Sequence, residues 1–293
     1  MLNVLDLRSP ALNVLLDQWL SEDLGRGDLT SVALGTSLGK ACWMAKQPGI
    51  FCGGLLTQKI YQRLDPLVIV KLLACDGDQL SEGQKVLELE GPAGALVAGE
   101  RTALNLAMRL SGIATATARL VTELEGTSTR LCDTRKTTPG LRVFEKYAIR
   151  CGGGLNHRFG LDDAAMLKEN HLAWAGGIEP AVRAVKAASP WPSKIIVEVE
   201  KEQEAYEAVN VGVDGILLDN FSSELLKSLV PRLRKLAKAG SLNGASGQII
   251  LEASGVKPID LKAFAHTGVD LISTSAPITK STWLDLSMRF EDS

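Results

Sequence analysis

Short apolar runs, each ending in a polar residue and followed by a stretch of helical period, recur through the second half of the chain. The run ends fall at Asp133 to Lys136, Lys168, Glu198 with Glu200, Asp219-Asn220, Glu252 to Ser254, and Ser273 to Ser275. Between them the spacing predicts helices over Ile178 to Ala188, Lys201 to Asn210, Ser222 to Lys238 and Asp260 to His266. Strand and helix alternating in units of roughly 20 to 30 residues predict parallel β-structure with helical crossovers. The near-continuous apolar runs Gly215-Ile216-Leu217-Leu218 and Gln248-Ile249-Ile250-Leu251 suit strands buried on both faces. An open doubly wound sheet places ligands at one switch point, whereas a barrel collects them at the C-terminal end of every strand. Six polar run ends therefore predict an α/β barrel with parallel strands.

The first half has a different pattern. Pro10 to Leu20 reads as an amphipathic helix, broken by Gly25-Arg26-Gly27, with Asp28-Leu29-Thr30 suited to a turn. Strand-like runs over Leu67 to Ala74 and Lys85 to Leu89 are punctuated by Asp76-Gly77-Asp78, Glu82-Gly83 and Gly91-Pro92, as in antiparallel hairpins. A smaller N-terminal α+β domain over 1–113 follows, with the barrel over 114–293 and a C-terminal segment able to pack back on the first domain. The segment GDQLSEGQKVLELEGPAGAL has the outline of a biotinyl or lipoyl carrier hairpin, but its turn, Gly91-Pro92-Ala93-Gly94, offers no acceptor lysine. From Gly99 to Glu125 one long helix is predicted, with Leu104, Ala107, Leu110 and Ala114 in an apolar stripe and Arg101, Asn105 and Arg109 on a polar face. Its small residues from Ser111 to Ala116 suit either a close backbone approach or simple helix propensity.

With 293 residues and 45% hydrophobic content the chain can bury a substantial core. A formal net charge of -2 excludes a general affinity for nucleic acid or acidic membranes, so any anion site must come from local concentration of charge. The five cysteines are scattered without C-x-x-C or C-x-x-H spacing, which argues against a disulfide framework and a zinc site and for a reducing compartment. The N-terminus lacks a basic region and cleavage site, and no apolar run reaches membrane-spanning length, so a cytoplasmic protein is expected.

Charge is concentrated in one place. Between Leu131 and Phe159 six Lys and Arg stand against two acids. Arg135, Lys136, His157, Arg158 and Lys168 lie at or near strand ends and are cationic or can become so, while Glu198, Asp219 and Glu200 are anionic. Such a pair of sets can hold a polyanion directly on one side and through Mg²⁺ on the other. Arg142, Lys146 and Arg150 share a predicted helix with Glu145 and read as a solvated face laced with weak ion pairs. His171 and His266 read as structural. No Walker loop occurs, and phosphate contacts fall instead to Ser254-Gly255 and Ser273-Thr274-Ser275, which combine hydroxyls with backbone N–H groups.

Several blocks together resemble the quinolinate phosphoribosyltransferase family: EDLGRGDLTS from Glu22, GERTALN from Gly99, SGIAT from Ser111, DTRKTTPGLR from Asp133, EKYAIRCGGGLNHR from Glu145, LKENH from Leu167, EVE from Glu198, LLDNF from Leu217 and EASG from Glu252. The resemblance implies transfer of phosphoribosyl from phosphoribosyl pyrophosphate to the ring nitrogen of quinolinate with loss of CO₂, giving nicotinate mononucleotide and pyrophosphate in NAD biosynthesis. It implies Mg²⁺ as cofactor, held by Glu198 and Asp219, and a homodimer or higher oligomer in which Arg101 reaches the partner's site. Thr134, Arg135, Lys136, His157, Arg158 and Lys168 would surround quinolinate and pyrophosphate. Glu198 and Asp219 would face the ribose, with Lys136 and Lys168 as their catalytic partners. Ser254, Gly255, Ser273, Thr274 and Ser275 would line the 5-phosphate site. The chain departs from the family at Ser273-Thr274-Ser275, where a glycine-containing turn is usual, and at Val256, where a second glycine is common. The rival readings are a related phosphoribosyltransferase acting on another small acid without decarboxylation, and a phosphate-binding module without catalysis.

Overall fold

The computed structural model describes residues 9–240 and 249–291; the first eight residues and Gln248, read above as the start of a strand, lie outside them. In chain order the elements are α1 (Pro10–Leu24), β1 (Leu38–Ala45), β2 (Gly49–Ile50), α2 (Gly54–Leu64), β3 (Ile69–Leu72), β4 (Gln79–Leu80), β5 (Lys85–Pro92), α3 (Ala93–Ala98) and α4 (Glu100–Thr122). Then follow β6 (Arg130–Cys132), α5 (Arg142–Cys151), β7 (Ala165–Leu167), α6 (Glu169–Ala175), α7 (Ile178–Ala188), β8 (Ile195–Val199), α8 (Glu202–Val211), β9 (Gly215–Asp219), α9 (Ser223–Gly240), β10 (Ile250–Ser254), α10 (Leu261–Ala265), β11 (Leu271–Ser273), α11 (Ala276–Thr279) and β12 (Leu286–Glu291). They form two units: residues 1–118, 138–153 and 276–293 in the first, residues 119–137 and 154–275 in the second.

In the first unit an antiparallel sheet runs β12-β1-β5-β3, so the last strand of the chain pairs with the first. The small-residue stretch of α4 permits close contact: a Cβ on Gly112 would stand 2.1 Å from the carbonyl oxygen of Thr282 and one on Gly152 would stand 2.3 Å from that of Ala114. Propensity alone would not require glycine at either position. Helix α5 corrects the sequence reading. Lys146 and Glu145 are each 0% exposed, and every residue from Phe144 to Ile149 is buried. Glu145 pairs with none of its helix neighbours in the manner expected; it accepts from Arg109 Nη2 at 2.8 Å and from the backbone N–H and hydroxyl of Thr138, each at 2.8 Å. Arg109, expected on a polar face, is half-buried and also donates to the Ile278 carbonyl at 2.7 Å.

The second unit contains six parallel strands in the order β6-β11-β10-β9-β8-β7, each linked to the next by helix, as the alternating pattern predicts for a barrel. Leu155 adds one parallel bridge to Cys132 beyond β6. Among the described residues no ladder joins that edge to β7, so the barrel is open there. Alternation along each strand separates core from site. Val197 and Val199, Ile216 and Leu218, Leu251 and Ala253, and Ile272 belong to the hydrophobic core shared with the helices. The intervening positions face the other way. Glu198 and Glu252 both pair with Leu217, Asp219 pairs with Ser254, and Ser273 pairs with Cys132. Polar groups are thus layered on the inner face, at the C-terminal ends of the strands.

Candidate active site

The loop after β6 carries the first cations and is held by Asp133, whose side chain accepts from the backbone N–H of His157 at 2.8 Å and from Asn156 Nδ2 at 2.7 Å. Asp133 itself is 1% exposed. Thr134 Oγ1 accepts from the Lys136 N–H at 3.0 Å, a local turn that fixes the two residues between which Arg135 projects. Arg135 is partly buried, and its Nε has no hydrogen-bond partner. Arg158 lies close enough for their charges to act on each other: burial first, then the Arg135 guanidinium, push the Arg158 guanidinium below its ordinary range, and Asp163 pulls it back. Arg158 Nη1 donates to the Ala164 carbonyl at 2.7 Å, which ties the open edge of the barrel to the loop before β7. Two guanidinium groups held near each other under partial burial oppose folding unless an anion joins them.

Lys168, at the end of β7, forms an ion pair with Glu198 on β8 and uses its backbone N–H to donate to His171 Nδ1 at 3.0 Å. His171 therefore serves as a local cap for α6, and His266, whose Nδ1 lies 2.7 Å from the Lys262 carbonyl, is likewise engaged within its own helix. At the end of β9, Asp219 accepts from Asn220 Nδ2 at 2.8 Å. Asn220 has φ of 58°, the one positive value at a non-glycine residue among those described. Gly255 follows β10 with φ of 75°, and a Cβ there would stand 2.5 Å from Asn220 Oδ1. The Ser254-Gly255 turn thus needs glycine twice, for its left-handed backbone and for its closeness to the carboxamide beside Asp219. Ser273 is buried at the end of β11, and the Thr274 N–H donates to the Cys132 carbonyl at 3.0 Å, continuing the ladder into the loop that carries Ser275.

In the second unit Thr134, Arg135, Lys136, Lys168, Glu198, Asp219, Ser254, Gly255, Ser273, Thr274 and Ser275 lie at or just beyond the C-terminal ends of strands, while His157 and Arg158 follow the bridge at Leu155. Arg101 is not among them; it lies in the first unit on α4, its exposed guanidinium 3.1 Å from Glu100. Glu200 is exposed beyond the end of β8. A cavity of about 930 Å³ inside the second unit is lined by Asn156, His157, Arg158 and Glu252 together with Lys194 and Asp214, which immediately precede β8 and β9. Arg135, Lys168 and Asp219 are outside its lining. Sequence reasoning passed over Asp133, Asn156 and Glu252 as site residues. For Glu252 a signal was present, because it alternates with Ser254 on β10 and shares the register of Glu198.

Two family descriptions match the chain: quinolinate phosphoribosyl transferase, N-terminal domain, over residues 28–111, and quinolinate phosphoribosyl transferase, C-terminal domain, over residues 113–289. A probable nicotinate-nucleotide pyrophosphorylase (carboxylating) of Synechocystis is 46% identical over 276 residues, covering 94% of this chain and 90% of that one. The human nicotinate-nucleotide pyrophosphorylase (carboxylating) is 36% identical over 281 residues, covering 95% of this chain and 91% of its own. The solved nicotinate-nucleotide pyrophosphorylase of Francisella tularensis superposes with a TM-score of 0.89 at 34% identity, covering 98% of this chain and 99% of that one.

Proposed function

The chain belongs to the quinolinate phosphoribosyltransferase family, and from that premise we propose the reaction that its strand ends perform. It transfers phosphoribosyl from phosphoribosyl pyrophosphate to the ring nitrogen of quinolinate and releases CO₂, pyrophosphate and nicotinate mononucleotide, a step of NAD biosynthesis. The observation that carries the assignment of residues is the Arg135 and Arg158 pair: burial and the Arg135 charge disfavour the Arg158 guanidinium, Asp163 offsets only part of this, and the Arg135 Nε has no partner. Quinolinate is a dianion, and its two carboxylates answer both.

Arg135, Arg158, Thr134 and His157 surround the pyridine ring, and Lys136 and Lys168 reach the pyrophosphate. A positive field concentrated in a partly desolvated pocket brings together two anions that would otherwise repel. Lys168 and Glu198 enter the reaction already paired, and each can exchange its partner for substrate. As the bond to pyrophosphate stretches, positive charge grows on ribose C1, and the carboxylates of Glu198 and Asp219 stabilise it electrostatically. Ser254, Gly255, Ser273, Thr274 and Ser275 receive the 5-phosphate with hydroxyls and backbone N–H groups. Nucleophilic attack by the ring nitrogen leaves that nitrogen cationic, and this charge stabilises the carbanion left at C2 when the carboxylate departs as CO₂. Water supplies the proton to the ring carbon.

Glu198 and Asp219 also fit Mg²⁺. That ion is commonly held by one or two carboxylates together with substrate phosphates and water rather than by an all-protein cage, and among the described residues no group of three or more His, Cys, Asp and Glu forms such a cage. Mg²⁺ bound there would offset charge on the departing oxygens. None of the five cysteines is in a disulfide, and among the described residues no helix is long and apolar enough to cross a membrane. A reducing, cytoplasmic setting suits both features.

Incubation with quinolinate, phosphoribosyl pyrophosphate and Mg²⁺ should give nicotinate mononucleotide, followed by chromatography, while a parallel reaction with nicotinate should not. Product from nicotinate alone would replace the assignment by that of a non-decarboxylating relative. We further assign a homodimer in which Arg101, exposed on α4, completes the partner's site. Mixing inactive Arg101→Ala and Lys136→Ala subunits should then regain activity, because one site of each hybrid carries neither change. Absence of recovery after mass spectrometry has verified subunit exchange would remove Arg101 from the shared site.

A further inference from the structure

His157 has partners on both ring nitrogens. Its Nδ1 accepts the backbone N–H of Arg158 at 2.7 Å, so the ring proton resides on Nε2. Nε2 lies 3.3 Å from Glu252 Oε2. Neither nitrogen is directed to solvent in this arrangement, and the ring is held from behind by Asp133, which accepts the His157 backbone N–H at 2.8 Å. The geometry is a relay: carboxylate to imidazole, imidazole to the main chain of Arg158, and from there to the guanidinium that bonds Ala164 and feels Arg135.

Glu252 is an unusual residue to find on the inner face of β10. It is 3% exposed, lines the cavity, and its second oxygen, Oε1, has no hydrogen-bond partner. Burying a carboxylate with one oxygen unbonded costs stability, and a hydrophobic residue would pack the same position without that cost. A buried polar atom left in this state calls for a reason beyond packing. The reason visible at this position is the imidazole proton.

We propose that Glu252 is a positioning residue for quinolinate binding. It fixes His157 as the Nε2–H tautomer, which leaves Nδ1 as the acceptor that anchors the Arg158 backbone and so aims the Arg158 side chain. The inference rests on the reading of Arg158 as a substrate ligand, and it changes the role of His157 from a direct contact to the link between the carboxylate and the arginine. With the acid replaced by an apolar side chain the proton can move to Nδ1, the Arg158 N–H loses its acceptor, and the arginine loses its aim.

The test uses the full-length enzyme and ¹⁵N NMR of its histidine rings. The chain has only three histidines, so His171→Gln and His266→Gln variants assign the spectrum. At mildly alkaline pH, where an ordinary imidazole is neutral, wild-type His157 should show the Nε2–H signature. Glu252→Gln retains a carbonyl acceptor and should keep both the tautomer and a KM for quinolinate within about threefold of wild type. Glu252→Leu should lose the signature and raise that KM about tenfold or more, with the KM for phosphoribosyl pyrophosphate little changed. A wild-type ring in the Nδ1–H form overturns the proposal, whether or not the leucine variant folds. So does a leucine variant with wild-type tautomer and KM, or a glutamine variant that keeps the tautomer yet loses quinolinate tenfold. A wild-type protein that shows the Nε2–H ring but does not turn over quinolinate would instead defeat the functional reading and leave the relay standing.

Discussion

Replacing Glu145 by leucine is expected to lower the free energy of unfolding by about 3–5 kcal/mol, the range for breaking a buried pair by removing one partner. The size follows from what remains behind. Arg109, 18% exposed at its side chain, would retain its bond to the Ile278 carbonyl but face an apolar group where a carboxylate had been, and Thr138 would lose the acceptor of both its N–H and its hydroxyl. Removing the cation as well should restore part of the loss, because an apolar pair leaves no isolated charge: the Arg109→Leu, Glu145→Leu double variant is expected to be more stable than Glu145→Leu alone. Urea titrations of the three variants and the wild type form a cycle that isolates the coupling. A loss below about 1 kcal/mol in the single variant would mean that the carboxylate is not the anchor of this cluster.

Arg135→Ala should separate activity from stability. A hydrogen bond to a charged group contributes about 1.5–3 kcal/mol, so kcat/KM for quinolinate should fall by roughly ten- to 150-fold. Stability should not fall with it. The wild-type side chain has a buried Nε without a partner and repels Arg158, and its removal relieves both. The melting temperature of the variant in the absence of ligands is therefore expected to equal or exceed that of the wild type, a trade seen where sites hold strained or repelling groups. Saturating quinolinate should then stabilise the wild type more than the variant, by the usual linkage of binding to folding. Wild-type kinetics in Arg135→Ala would remove this residue from the site, and a marked drop in melting temperature would show that the guanidinium has a structural partner in solution.

These expectations depend on an architecture whose second half was legible in the sequence, for a definite reason. In parallel strands buried on both faces, polar side chains are excluded from the middle and tolerated at the ends, so the punctuation of apolar runs marks the strand C-termini directly. Lys168, Asp219, Ser254 and Ser273 all stand where that punctuation put them. Helix α5 was misread because its charges, spaced three and four apart, have the same spacing as those of a solvated face. Nothing in the period reveals that six consecutive residues, Phe144 to Ile149, are covered on all sides. The partner of Glu145 is 36 positions away on another helix, and no local pattern announces a pairing at that separation. Asp133 and Glu252 were overlooked for a related reason. Their bonds run to backbone N–H and to a histidine ring rather than outward, and a residue whose work is internal to the site looks like any acid at a strand end.

The division of the barrel strands into alternate positions has a consequence for how such a protein can diverge. Along β8, β9 and β10 each residue that packs against a helix is followed by one that faces inward, and the strands are only five residues long. Deleting or inserting a single residue there would invert the parity of the strand, exposing Val197 or Leu218 to the interior and driving Glu198 or Asp219 among the helices. Chemistry and core are written in one reading frame. Lineages of this fold can therefore exchange side chains at the inner positions freely, but changes of length are confined to the connections between elements.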